Sequence, residues 1–154
     1  MSVLGKVAKT GKHLSTLMKT IDTRGAQVRA AITSLPKIIT LQEGIIEDAK
    51  ELTRTLGLQP NAALATQNVN ELAWYKAQLA ERKKEMVDLT GLDKLAQLTY
   101  GQLTELSREK AELDKKKPKP PDHDAQLKAL EKKAAAPLAV AQKVIERIGQ
   151  IAVQ

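Results

Sequence analysis

Cysteine and phenylalanine are both missing from these 154 residues, and the only aromatic side chains are two tyrosines and one tryptophan. Without cysteine there is no disulfide framework and no thiolate metal centre. Without large rings a compact globular core loses its bulkiest filler. The interior must then be built from Leu, Ile, Val and Ala, which suits the thin, ridged packing of helix on helix. Long hydrophobic runs are absent as well. The longest uncharged stretch of small apolar residues, Ala134 to Ala141, contains Pro137 and falls far short of the ~18 residues needed to span a bilayer. Lys6, Lys9 and Lys12 break up the opening residues, so no secretory apolar segment forms. The expectation is a chain kept in solution, in the cytoplasm or built into a larger particle.

Chemistry-bearing constellations are equally scarce. Gly5 to Gly11-Lys12-His13 looks at first like a phosphate-binding loop. It has five residues between its glycines instead of four, and His13 stands where a hydroxyl for magnesium belongs. A glycine-softened amphipathic helix accounts for it better. The two histidines, His13 and His123, do not make a metal site. In Asp122-His123-Asp124 an extended backbone would aim the three side chains to different sides, without supporting partners. No serine sits in a nucleophile-elbow context. The carboxylate pairs Glu81/Glu85 and Glu105/Glu109 lie at helical spacing near Lys or Arg and read as surface ion pairs. No catalytic residue and no cofactor is expected.

What the chain does have is apolar periodicity. Leu4, Val7, Leu14, Met18 and Ile21 lead into Val28, Ile32, Leu35, Ile39 and Ile46 at alternating three- and four-residue steps, broken only at Gly11, Gly25, Gln42 and Thr53. That rhythm places one residue per turn on a single side of a helix wound at about 3.5 residues per turn. From Ala31 onward a third column, Ile38, Ile45 and Leu52, runs beside the first two, giving a face wide enough for more than one neighbour.

Helix 1 is therefore predicted over about residues 2–56, kinked at Pro36. Gly57 and Pro60-Asn61 supply turn chemistry for a loop over 57–67. Helix 2 follows over about 68–113, with Leu72, Tyr75, Leu79, Met86 and Leu89 on its seam. Leu92, Ala96, Leu103, Leu106 and Leu113 continue one step out of register, so a break at 90–92 is an alternative to a continuous helix. The Lys- and Pro-rich segment 114–122 is a linker, and helix 3, capped by Asp122 or Asp124, occupies about 123–153. Pro137 predicts a second kink.

The architecture expected is a single all-α domain, an elongated antiparallel hairpin plus a shorter third helix with coiled-coil-like packing. At about 1.5 Å per residue, helix 3 spans roughly 45 Å against roughly 80 Å and 70 Å for the other two. It cannot cover their whole groove, and apolar surface near one end stays wet in a monomer.

The net charge of +7 is unevenly placed. Residues 1–37 carry seven bases against Asp22 alone. Lys6, Lys9, Lys12 and Lys19 make the N-terminal helix basic and amphipathic, which reads first as a bundle helix with a solvated basic face and is also a form that can rest on an anionic membrane. Nucleic acid is a weaker candidate, because no aromatic residue among these bases can stack.

The function expected is a non-enzymatic structural or assembly subunit working through helix–helix oligomerisation or docking of a protein partner. Components of a phage particle or a secretion apparatus fit this physics, and no motif selects them. The candidate seam comprises Val28, Ile32, Leu35, Ile38, Ile39, Ile45, Ile46 and Leu52 on helix 1. Trp74, Leu92 and Leu103 join them from helix 2; Trp74, one position off the seam, is expected to pack under the 57–67 loop or meet helix 3, with the alternative of an anchor of the kind enriched in interfaces. The alternatives are a membrane-active helical protein or pore former, and a nucleic-acid-binding accessory protein.

Overall fold

A computed structural model describes residues 2–59, 61–116 and 118–153. Pro60 and Lys117, which belong to the expected loop and linker, lie outside the described residues. The fold is all-α: α1 (Val3–Leu56), α2 (Ala62–Lys115) and the shorter α3 (His123–Val153), with α1 and α2 packed closely together.

Each helix start has a physical cause. Ser2 caps α1, its hydroxyl accepting from the Gly5 backbone N–H at 3.1 Å. Asn61 caps α2 in the same way, its side-chain oxygen accepting from the Leu64 N–H at 3.0 Å. This cap starts α2 six residues ahead of the sequence-based boundary, and the segment after it (Ala-Ala-Leu-Ala) consists of good helix formers. Asp122 opens α3. Its backbone carbonyl accepts from the Gln126 N–H at 2.9 Å, and its carboxylate takes the Gln126 side chain at 2.8 Å. At the other end of α1, Gly57 has φ of +65°, the left-handed conformation that closes a helix.

α1 is continuous through Pro36 and α3 through Pro137, and α2 runs unbroken across 90–92. The Thr40 hydroxyl donates to the Pro36 carbonyl at 3.0 Å, giving that turn a side-chain hydrogen bond.

The chain divides into two compact units. Unit 1, residues 1–24 with 89–154, is a three-helix bundle. Leu4 and Val7 of α1, Leu103, Leu106 and Leu113 of α2, and Leu130, Ala134 and Ala141 of α3 form one buried cluster, flanked by Leu127 and Leu138. Leu14, Leu103, Val144 and Ile148 are among its fully buried side chains. Thr99 is buried too, and its hydroxyl donates to the Leu95 carbonyl at 2.7 Å, so its methyl group packs without leaving a polar orphan. Unit 2, Gly25–Asp88, is a two-helix hairpin made from the rest of α1 and the first half of α2.

Candidate functional site

The hairpin of unit 2 is zipped by one seam. Val28 is its one fully buried apolar side chain. Ile32, Leu35, Ile39 and Ile46 from α1 and Leu72, Tyr75, Leu79 and Met86 from α2 are half-buried. Gln42, which interrupts the apolar stripe, occupies a seam position and is buried. Its amide donates to the Asn68 backbone carbonyl at 3.0 Å and to the Glu71 carboxylate at 3.4 Å, while Gln67 donates to the other Glu71 oxygen at 3.1 Å. A polar residue at such a position fixes which residues face each other, at some cost in stability. Arg82 and Glu85, 2.6 Å apart and half-buried, form a charged pair within α2 in the other half of the hairpin.

Beside that seam lies an uncovered face. Ile38, Ile45 and Leu52 repeat every seven residues along α1 and remain 37%, 52% and 54% exposed, with Leu41 between them at 69%. The same heptad column in unit 1 carries Thr10, buried, and Leu17, half-buried. In unit 1 the exposed member of the column is Val3, at its N-terminal end, and in unit 2 Ala31 is half-buried while Ile38, Ile45 and Leu52 stand wet on a hairpin of two helices. Near the turn, an open groove of about 580 Å³ lies between the helices, lined by Ile46, Ala49, Thr53, Leu64, Ala65 and Val69.

The expected seam residues thus fall into three groups. Val28 and Leu103 are buried inside their own units. Ile32, Leu35, Ile39, Ile46 and Leu92 are half-buried. Ile38, Ile45, Leu52 and Trp74 stand exposed, Trp74 at 58% with its ring edge-on to Tyr75, centroids 5.4 Å apart.

Lys6, Lys9, Lys12 and Lys19 are exposed on α1 of unit 1, and the glycines at 5 and 11 lie within that helix. Leu4, Val7, Leu14 and Ile21, the side that an interfacial helix would lay on lipid, are buried in the bundle. Among the described residues no helix is long and apolar enough to cross a membrane, and no three His, Asp or Glu groups converge as a metal set would.

His123 is tucked between two carboxylates, with Nε2 3.7 Å from Asp114 and Nδ1 3.6 Å from Asp124. The Asp114 carboxyl titrates below the ordinary aspartate range, chiefly because Lys110 donates to it at 2.8 Å, with further help from the charge of His123. Glu105 is likewise held low by its hydrogen bond to Arg108.

Two structural residues escaped the sequence reading. Asn61 was assigned to turn chemistry when its amide oxygen is a helix cap. Thr99, absent from the apolar seam, is buried at the heptad position between Leu92 and Leu106. No protein-family model, no curated protein and no solved structure matches this chain.

Proposed function

We propose that this protein is a non-enzymatic assembly subunit that docks helix against helix through the uncovered face of its hairpin. The observation that carries this reading is the column Ile38, Ile45 and Leu52. It continues the heptad that places Thr10 under cover and Leu17 half-buried in unit 1, and it is exposed in unit 2. An apolar row of this kind is unusual on a surface that has no partner, because removal from water is worth about 25 cal/mol per Å².

Glutamine is a good helix former and has no apolar branch, so the triple replacement Ile38→Gln, Ile45→Gln, Leu52→Gln strips the face and leaves α1 helical. Light scattering over a dilution series is the test. The unmodified chain should run as a defined oligomer at high concentration and dissociate on dilution. The triple variant should stay monomeric with unchanged helical circular dichroism. A native chain that is monomeric at every concentration would remove the reading.

A further inference from the structure

We infer that two copies of this chain pair antiparallel along the α1 segment of unit 2, with a two-fold axis passing close to Leu41. The inference rests on the assembly reading above and names the occupant of the uncovered face, which is the same face on a second copy.

The row is evenly spaced and its central pair, Ile38 and Ile45, is the same residue on either side of the midpoint. Ala31, Ile38, Ile45 and Leu52 are spaced seven apart, and the middle of the row falls beside Leu41, the most exposed member of the face. That middle is also close to the midpoint of the α1 stretch in unit 2, residues 25–56. Reversing a copy about this point brings Ile38 near Ile45 of the partner subunit and Ala31 near Leu52 of the partner subunit. Self-complementarity of this sort is what a two-fold interface requires.

Charge chooses the direction. Between residues 25 and 41, α1 carries Arg29 and Lys37 and no acid. Between 42 and 56 it carries Glu43, Glu47, Asp48 and Glu51 against Lys50 and Arg54. Lys50 is already held by Glu47 at 3.5 Å and Arg54 by Glu51 at 2.7 Å. Lys37 and Asp48 flank the column on the helix surface and have no ion-pair partner among the described residues. An antiparallel pair about Leu41 brings Lys37 within two residues of Asp48 of the partner subunit. A parallel pair sets Lys37 against Lys37 of the partner subunit and Asp48 against Asp48 of the partner subunit, which is destabilising.

The area is sufficient. The four side chains Ile38, Leu41, Ile45 and Leu52 leave about 800 Å² of apolar surface wet across two copies. Complete cover of that surface, at the roughly 65% apolar share of homodimer interfaces, corresponds to a buried total of at most about 1,200 Å², at the lower edge of the range for a stable complex.

The absence of native cysteine makes the test clean. Single variants Leu41→Cys and Leu52→Cys are treated with a bismaleimide spanning about 10 Å, at a concentration where the native chain is assembled. In the antiparallel pair the two copies of residue 41 lie within reach. The two copies of residue 52, each about eleven residues from the axis, are about 30 Å apart at 1.5 Å per residue. Leu41→Cys should therefore give a cross-linked dimer and Leu52→Cys should give none. An equimolar mixture of Ala31→Cys and Leu52→Cys should cross-link, while neither does so alone.

An oligomer in which Leu52→Cys cross-links to itself would make the pair parallel and overturn this inference while leaving the assembly reading intact. An oligomer in which Leu41→Cys fails to cross-link would overturn it as well. A native chain that never assembles would overturn both. Unchanged circular dichroism in every variant shows that loss of cross-linking is not loss of fold.

Discussion

Gln42 shows how one residue sets the behaviour of the hairpin. Its amide is buried and bonded across the seam to Asn68 and Glu71. Gln42→Ala should lower stability by about 1 kcal/mol through loss of those bonds. Gln42→Leu should raise the denaturation midpoint while broadening the set of pairings between α1 and α2. Urea titration checks the first effect, and line-broadening in amide NMR spectra checks the loss of a unique register. Two glycines make opposite predictions. Gly57 sits at φ +65°, so Gly57→Ala should destabilise the chain by about 1 kcal/mol. Gly91 is inside α2 with open space around the position of a new Cβ, so Gly91→Ala should stabilise it by about 1 kcal/mol. Thermal melts of the two variants decide both.

Among the elements, the two units differ in how well their backbones are shielded. Unit 1 closes a core with three helices, whereas the seam of unit 2 is mostly half-buried. Amide hydrogen exchange on dilute protein should therefore be slower in the core turns around Leu14, Leu103 and Ile148 than in residues 30–56 and 62–85, because local opening follows buried contact.

The junction of α2 with α3 has its own signature. The Asp114 carboxyl is depressed by Lys110 and His123. A depressed carboxyl contributes stability that is fully present above its unfolded value, near 3.8, and lost as pH falls through the lower folded value. The melting temperature of the native chain should fall more steeply than that of Asp114→Asn as pH drops below about 4. The effect is small, because the carboxylate is partly exposed and salt screens it.

The three helices were legible because the heptad spacing from Leu4 to Ile46 leaves little choice of period. The start of α2 was not, because proline followed by asparagine serves turns and helix caps alike and only the hydrogen bond to Leu64 separates them. The uncovered column was legible from length: α3 is too short to shelter all of α1 and α2. The division at Gly25 and Leu89 was not, since the break in the stripe at Gly25 looks no different from those at Gly11 and Gln42, and the register slip after Leu89 leaves α2 one continuous helix.

For the whole molecule, a net charge of +7 repels copies at long range while the apolar column attracts at contact. Assembly links folding to concentration, since anything that binds the folded state stabilises it, by about 2.7 kcal/mol at a hundredfold excess over the dissociation constant. The apparent melting temperature should climb as the native chain is concentrated. That of the Ile38→Gln, Ile45→Gln, Leu52→Gln variant should not move. Scanning calorimetry at several concentrations tests this.

The Ile38–Leu52 row belongs to a helix already finished before any encounter, continuous from Val3 to Leu56. Capture then asks for no coil-to-helix step at the moment of collision. On-rates should sit in the ordinary range for rigid surfaces, about 10⁵–10⁷ M⁻¹s⁻¹, and the lifetime of the complex should be governed by how slowly its copies part.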